Sequence, residues 1–259
     1  MKEIIIAKIK EIEKEKNIKV LYACEAGSRA WGLQSTKSDY DVRFIYIHPP
    51  DYYLSIDPIG IGKKKDTIEF PIDSSLDLHG WEFTKALRLF RKSNPGFLEW
   101  LHSPMVYYKW PEIMNRMLAL ESEVFQPKSC THHYMNMAKS NLRKIDESTG
   151  IQIKLYIQVV RSILVAKWIM IYNSFPPLHF TSLVDILSSP EQNTLELLTD
   201  IKTKQLPETN LPVGELQSFI KSELDILQIS ITQLNTNHIQ VTDKLDSLFR
   251  VTLKEIWGN

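Results

Sequence analysis

The chain has 259 residues, 43% of them hydrophobic, which is enough to bury a sizeable core in one large domain or two smaller ones. Its 31 lysine and arginine residues balance 31 aspartate and glutamate residues, which argues against nucleic-acid binding through a global basic field and leaves a local basic patch open. Cys24 and Cys130 lie far apart without a C-x-x-C spacing, which argues against a disulfide scaffold or a zinc cluster.

The N-terminal stretch predicts an amphipathic helix, because Ile5, Ile9 and Ile12 recur at helical spacing among charged residues. This mixture is unlike a signal peptide, and no segment reaches the about 20 consecutive apolar residues that cross a bilayer. We therefore expect a cytoplasmic protein without a membrane partner.

Up to about residue 125, short apolar runs alternate with helical patterns, which predicts an α+β domain. Helical segments are expected at 2–16, 29–33 and 81–92, and strands at 18–24, 40–47, 67–70 and 75–78. The last of these helices carries one apolar face at i, i+3, i+4 and i+7, and Asn94-Pro95-Gly96 is expected to end it.

Beyond residue 130 the chain consists of long amphipathic segments without convincing strands, which predicts a helical bundle. These segments are 131–147, 152–172, 180–187, 191–203, 213–235 and 241–257. A boundary near Gln126-Pro127 gives an N-terminal domain over 1–126 and a helical C-terminal domain over 127–259.

A turn at Gly27-Ser28 precedes a strand that begins with two aspartates, Asp39 and Asp41. Side chains on a strand alternate between faces, so these two carboxylates are expected to project side by side. Adjacent anions repel unless a cation lies between them, and Mg²⁺ binds carboxylate oxygens while sharing substrate phosphates. Gly27 lets backbone amides approach a ligand, and Ser28 adds a hydroxyl at the start of a helical segment, where phosphate binds well. The combination predicts a metal-dependent nucleoside triphosphate site.

Each part of this pattern also has a simpler explanation. A Gly-Ser pair is most often only a turn, and a D-x-D sequence at a strand edge often caps a neighbouring amide. Arg43 lies on the aspartates' face and can neutralise them in a structural ion pair. Spacing alone leaves Glu69, Asp73 and Asp77 as rival third acids for two-metal chemistry.

The pattern Gly27-Ser28 followed by Asp39-x-Asp41 resembles the signature of the DNA polymerase β-like nucleotidyltransferase superfamily. Two longer stretches are similar to a bacterial and phage branch described as an RNA repair pathway polymerase β family: CEAGSRAWGLQSTKSDYDVRFIYIHPPDYYLSI and LDLHGWEFTKALRLFRKSNPGFLEWLHSPMVY. Ala26 stands where serine is more frequent, a small departure that leaves the turn unaffected. The resemblance implies a polymerase β-like nucleotidyltransferase domain with a mixed sheet and helices, then an all-helical domain, with the active site in the cleft between them.

The resemblance further implies transfer of a nucleoside monophosphate from an NTP to a hydroxyl, with release of pyrophosphate. Asp39 and Asp41 are expected to bind two Mg²⁺ ions, with Mn²⁺ as an alternative metal. Asp77, ahead of the Gly-Trp taken to open a helix, matches the position of the third catalytic and metal-binding carboxylate. Gly27 and Ser28 are expected to hold the β- and γ-phosphates.

Further nucleotide contacts are expected beyond this pattern. Lys154, Gln158 and Arg161 form one polar stripe of the helix at 152–172, which either faces solvent or, as the resemblance implies, holds the triphosphate. Tyr156 either stacks on a base or belongs to the core. Arg29 either contacts phosphate or anchors the local helix by an ion pair.

The expected acceptor is an RNA end, although a surface that binds RNA should show clustered cations and aromatic stacking platforms. Histidines such as His48 and His79 show no metal-ligand spacing and are expected to be ordinary surface or core residues. A protein serine, threonine or tyrosine hydroxyl is the alternative acceptor. A non-catalytic nucleotide- or partner-binding module is the alternative to an enzyme. The oligomeric state is not predicted.

Overall fold

The computed structural model describes residues 1–57, 60–61, 64–73, 75–234 and 240–258, without the side chains of 71–73. The chain forms two compact units. The first comprises Met1–Gly27, Asp39–Val124 and His238–Asn259, and the second comprises Ser28–Ser38 and Phe125–Asn237.

The first unit is built on a mixed sheet. Its strands are β1 (Lys19–Glu25), β2 (Tyr40–Ile47), β3 (Thr67–Asp73), β4 (Leu76–Glu82) and β5 (Val106–Lys109). The strand order is β3-β4-β2-β1-β5, with β2 and β4 parallel and the other neighbours antiparallel. The helices in chain order are α1 (Lys2–Lys16), α2 (Gly27–Ala30), which runs into the second unit, α3 (Pro50–Tyr53), α4 (Phe83–Arg91), α5 (Pro95–Leu101), α6 (Pro111–Ala119) and α7 (Glu121–Val124). This arrangement confirms the predicted α+β class.

One face of the sheet is closed by α1. The helix contributes Ile5, Ile9 and Ile12, which pack with alternate apolar residues of β1, β2 and β4. The residues whose spacing predicted this helix are thus the ones on its buried face. Asp41, Arg43, Asp77 and His79 alternate with these apolar residues and therefore lie on the opposite face.

The predicted junction between β4 and the helix that follows it is wrong. Gly80 and Trp81 do not open a helix but lie within β4, where a Cβ on Gly80 would come within 2.3 Å of the Phe44 ring. The helix begins only after Glu82, whose carboxylate accepts hydrogen bonds from the amides of Thr84 and Lys85 and so caps α4.

The segment after α4 also differs from the prediction. Asn94-Pro95-Gly96 separates two helices instead of only ending one, because the Asn94 side chain caps α5 by accepting from the Phe97 amide at 3.0 Å. The short strand β5 was not predicted; its four residues are too few to show a clear alternation.

The second unit is helical. It contains α8 (Pro127–Asp146), α9 (Ile153–Tyr172), α10 (Phe180–Val184), α11 (Ser189–Lys204) and α12 (Val213–Ser230). The described residues of this unit include no strand, and α9 lies at its centre, in contact with α8, α10, α11 and α12. The predicted helical segments of this region are confirmed, with small shifts at their ends.

The last helix, α13 (Thr242–Trp257), belongs to the first unit. It packs on α4 and α6, with the Phe249 ring 6.1 Å from Phe83 and 5.0 Å from Tyr53 between ring centroids. Arg116 adds two hydrogen bonds of 2.8 Å to Glu255. The compact units therefore differ from a division of the chain at residue 126, and that division stays a prediction.

Helix α9 is long and apolar enough, by length and composition, to cross a membrane, which the sequence analysis did not expect of any segment. Within the protein, 61% of its most apolar window is buried. That burial is what the central helix of a bundle shows, because the surrounding helices cover its apolar surface. A cytoplasmic location stays a prediction.

We expect protonation of His48 at acidic pH to destabilise the first unit. Burial lowers the pKa of His48 from 6.5 to about 4, with Lys64 acting in the same direction, while its ring stacks on Tyr52 at 3.6 Å. The unfolded chain binds this proton near pH 6.5 and the folded chain does not, so stability is full above 6.5 and falls as the pH drops towards 4. Urea unfolding at pH 7 and pH 5 should show a loss of up to about 2 kcal/mol from this group. His48→Phe, which keeps the stacking, should flatten this dependence; equal pH slopes for variant and wild type would contradict the assignment.

Candidate active site

Asp41 and Asp77 lie side by side on the face of the sheet opposite α1. They are register partners on the parallel neighbours β2 and β4. Each lies two residues before another half-buried polar residue, Arg43 on β2 and His79 on β4, and these two are also register partners. The alternation of β4, with buried residues at every second position, keeps Asp77 on the face opposite α1.

One guanidinium bridges the two carboxylates. Arg43 Nη1 donates to Asp77 Oδ2 at 2.7 Å, and Nη2 donates to Asp41 Oδ1 at 3.2 Å. The ion pair considered from the sequence is therefore present, and it joins Asp41 to Asp77. Two carboxylates held against the same cation form a site where positive charge is required.

The electrostatics at Asp41 are set by competing effects. Burial raises the pKa of Asp41 above its ordinary value, Arg43 lowers it, and the charges of Asp77 and Asp39 raise it further. The net effect is a raised pKa, so the surroundings destabilise the ionised form of this carboxylate. A further cation at the pair would relieve that cost.

The other acidic candidates are placed differently. Asp39 directly precedes β2, is exposed, and acts on Asp41 through its charge. Glu69, on β3, is 73% exposed in its side chain and lies 3.8 Å from His79 Nδ1. Asp73 lies outside the residues whose side chains are described. Among the rivals, Asp77 is the acid that the described structure brings to Asp41.

Gly27 forms the wall of the site next to Asp41. Its φ is +60°, and a Cβ built on it would lie 2.5 Å from Asp41 Oδ2, so only glycine fits without displacing the carboxylate. The preceding residue is tied to the same strand, because the Ala26 amide donates to the Asp41 carbonyl at 2.8 Å. The turn and the strand are thus fixed to each other by the backbone.

A residue that the sequence analysis missed, Glu25, lies behind the site. Its side chain is fully buried at the end of β1, where it accepts a 2.7 Å hydrogen bond from the Asp41 amide and another from the Tyr107 hydroxyl. Its carbonyl accepts from the Ser103 hydroxyl at 2.6 Å. The available signal was an acid inside the apolar run YACEAG, since an ionisable residue is seldom fully buried without partners.

Replacing Glu25 with alanine should destabilise the protein and disturb Asp41. The Asp41 amide and the Tyr107 hydroxyl would lose their common acceptor in a buried place, which costs about 2 kcal/mol or more. Urea denaturation measures this loss. The matched control is Glu13→Ala, because Glu13 makes the same kind of bond, to the Val20 amide at 2.8 Å, from a half-buried position. Equal losses in the two variants would show that Glu25 has no special role.

Ser28 and Arg29 belong to the second unit. The Ser28 carbonyl accepts from the Leu33 amide at 2.8 Å, and Arg29 Nη2 donates to the Ser38 carbonyl at 2.8 Å. Arg29 therefore joins the two ends of the segment 28–38. Their expected contacts with phosphate stay predictions.

The residues of the polar stripe predicted on α9 differ in how far they are buried. Lys154 is exposed, Gln158 is half-buried, and Arg161 is 97% buried with its guanidinium 4.1 Å above the Trp31 ring. Tyr156 is also buried, and its hydroxyl accepts from Gln217 at 3.4 Å. Solvent exposure of the whole stripe is thus wrong, and nucleotide contacts by Lys154, Tyr156 and Arg161 stay predictions.

The side chains at Asp41 and Asp77 suit a divalent cation chemically. Carboxylate oxygens are the ligands that Mg²⁺ prefers, and both side chains already converge on one positive group. Across the described ranges, no group of three or more His, Cys, Asp or Glu residues is arranged to hold a metal ion. The two described carboxylates at the site therefore provide a partial metal-binding set, with Asp39 adjacent in the chain.

A family model described as the RNA repair pathway DNA polymerase beta family matches residues 1–251, which include both carboxylates and nearly all of the helical region. The chain is also similar to "Uncharacterized protein YcgL" of Bacillus subtilis (strain 168). The two sequences are 37% identical over 260 residues, covering 99% of this chain and 98% of that protein. The family match confirms the resemblance seen in the motifs.

Proposed function

We propose that this chain, which belongs to the RNA repair pathway DNA polymerase beta family, is a metal-dependent nucleotidyltransferase that acts on an RNA end. In the proposed reaction a hydroxyl oxygen of the acceptor attacks the α-phosphorus of an NTP. The bond from that phosphorus to the β-phosphate bridging oxygen breaks, and pyrophosphate leaves. The acceptor receives one nucleoside monophosphate in each transfer.

The observation that supports the proposal most strongly is the register pairing of Asp41 and Asp77 beside the turn at Gly27. Polymerase β-like nucleotidyltransferases generally use divalent metals, and Asp39, Asp41 and Asp77 would hold Mg²⁺, or Mn²⁺, here. When bound, such an ion supplies charge stabilisation at the reacting phosphate. The pair supports this role because burial raises the pKa of Asp41, and a bound cation would stabilise its ionised form.

The remaining steps belong to the protein's own groups. Asp77 would receive the proton of the attacking hydroxyl, since its carboxylate is 48% exposed and therefore accessible to the hydroxyl of the acceptor RNA. The backbone at Gly27 and the hydroxyl of Ser28 would hold the β- and γ-phosphates. Arg43 would keep the two carboxylates in place while the substrate enters.

The experiment that tests this function incubates purified protein with Mg²⁺ and each α-labelled NTP in turn, together with total RNA and cell lysate. Wild-type protein should transfer label to RNA, and the double variant Asp39→Ala/Asp41→Ala should not. Label in the polypeptide fraction would instead indicate nucleotidylation of a protein hydroxyl. Equal labelling by wild type and the double variant would reject the catalytic assignment, and tight NTP binding without transfer to any acceptor would indicate a binding module.

A further inference from the structure

The face of the sheet that carries Asp41 and Asp77 also carries two aromatic residues of β4, His79 and Trp81. From the start of this strand, Asp77, His79 and Trp81 are half-buried, while the residues between them are fully buried. Asp77, His79 and Trp81 therefore share the face that carries Asp41 and Arg43. Of these three residues, the reaction proposed above uses only Asp77.

The second aromatic residue, Trp81, is held in a fixed orientation. It stacks on Trp100 of α5 with ring centroids 3.7 Å apart and an interplanar angle of 24°. Trp100 is buried, and its carbonyl accepts a 2.8 Å hydrogen bond from the Tyr22 hydroxyl. Phe97, which is also on α5, has its ring centroid 6.2 Å from that of Trp81. The buried Trp100 thus supports a Trp81 indole that still reaches solvent.

His79 lies between this stacked pair and the carboxylates. Its imidazole meets Trp81 edge to face at 6.2 Å and Trp100 at 6.5 Å, and its side chain is 25% exposed. Glu69 on β3 is its register partner, with Oε1 3.8 Å from His79 Nδ1. A carboxylate here disfavours phosphate, but it can accept a hydrogen bond from a base amino group or a ribose hydroxyl.

We propose that His79 and Trp81 form a stacking platform for the 3′-terminal bases of a single-stranded RNA acceptor. This inference rests on the proposed function, since it supplies the binding site for the acceptor. Along the strand, His79 and Trp81 lie about 7 Å and about 13 Å from Asp77. Because the His79 and Trp81 rings are nearly perpendicular, at 85°, they would receive two splayed bases of an unstacked single strand. A terminal hydroxyl can therefore lie at Asp77 while the bases behind it lie on His79 and Trp81.

The charge balance of the chain makes a contribution from stacking important for the proposal. With 31 basic and 31 acidic residues, the chain has no global basic field to bind RNA through its phosphates. Every base has an aromatic face, so stacking adds affinity for single strands with little requirement for sequence. We expect acceptor binding that depends on the bases.

The test is a binding measurement in the absence of NTP. Fluorescence anisotropy follows a 5′-labelled single-stranded RNA that ends in a 3′-deoxynucleotide, compared with the same RNA lacking its last four bases but keeping its sugars and phosphates. For wild type, removing the bases should weaken binding by about 5- to 100-fold. For Trp81→Leu, intact and abasic RNA should bind with similar affinity. Wild-type binding that is indifferent to the bases would overturn the proposal.

Two further variants separate stacking from a structural effect. Trp168→Leu is the matched control, because Trp168 is also half-buried against an aromatic ring, with Tyr172 at 4.4 Å, but lies in the second unit. This control should keep the wild-type difference between intact and abasic RNA. If Trp81→Leu does not fold, His79→Ala at its partly exposed position should still reduce that difference. Retention of the full difference in a folded Trp81→Leu or His79→Ala protein would count against the platform.

The binding assay is independent of catalysis, so the two proposals can fail separately. Base-dependent RNA binding by a protein that transfers no nucleotide would contradict the proposed function but support the stacking platform. Transfer to RNA that is unaffected by Trp81→Leu would support the function and overturn the platform. A serine- or tyrosine-containing peptide that binds wild type but not Trp81→Leu, while RNA binds neither, would assign this surface to a protein acceptor and reject the RNA proposal.

Discussion

Replacing Asp77 with asparagine should lower nucleotide transfer by about 10²- to 10⁴-fold, the range expected when a catalytic proton acceptor is lost. The asparagine side chain has the same shape and keeps an oxygen that can accept from Arg43, so the fold should survive. What is lost is the second negative charge of the pair and its capacity to accept a proton. The rate of transfer from α-labelled NTP under saturating Mg²⁺ measures this effect, and circular dichroism checks the fold.

The matched control for Asp77 is Glu69→Gln, which removes a charge from the adjacent strand β3. Glu69 is 73% exposed in its side chain, and glutamine keeps an oxygen that can accept a hydrogen bond, so loss of the charge should change transfer by less than about threefold. This comparison decides between two acids that sequence spacing left open. A larger loss in Glu69→Gln than in Asp77→Asn would move the third catalytic carboxylate to β3 and contradict the assignment.

The order of the main helices and strands could be predicted from the sequence because each of them buries one face. The spacing of Ile5, Ile9 and Ile12 describes α1 correctly, and the amphipathic segments of the second unit are found close to their predicted ends. The sequence predictions failed at the starts of α4 and α5, which are fixed by side-chain caps. Glu82 and Asn94 each start a helix through a side-chain hydrogen bond, and a hydrophobic pattern contains no direct sign of that bond.

The candidate site could be predicted in part, because its motif residues are close in sequence or recognisable by resemblance. The pairing of Asp41 with Asp77 depends on the parallel register of β2 and β4, which spacing along the chain cannot give. Glu25 was missed since its partners, the Asp41 amide and Tyr107, lie on the neighbouring strands β2 and β5 but are far from it in sequence. The burial of Arg161 was missed because a polar stripe on a helix normally faces solvent.

Gly27→Ala should lower nucleotide transfer by about 10²-fold, although alanine adds only a methyl group to a surface turn. The new Cβ would lie 2.5 Å from Asp41 Oδ2, so either the carboxylate or the turn must move. Asp41 can rotate away from the turn, but it then leaves the position in which Arg43 holds it beside Asp77. The expected signature is a loss in kcat larger than the change in KM for NTP, because misplacement of a carboxylate affects the chemical step most.

Backbone strain alone could also lower activity, since Gly27 has a φ of +60° that alanine rarely adopts. Gly150→Ala separates the two causes: Gly150 has a φ of +94°, and a Cβ there would meet nothing within 4 Å. Both variants should lose about 1 kcal/mol of stability in urea unfolding through strain, but only Gly27→Ala should lose transfer. If Gly27→Ala keeps wild-type kcat, then Asp41 does not act from the position that it occupies beside the turn, and the carboxylate pair cannot be the catalytic centre.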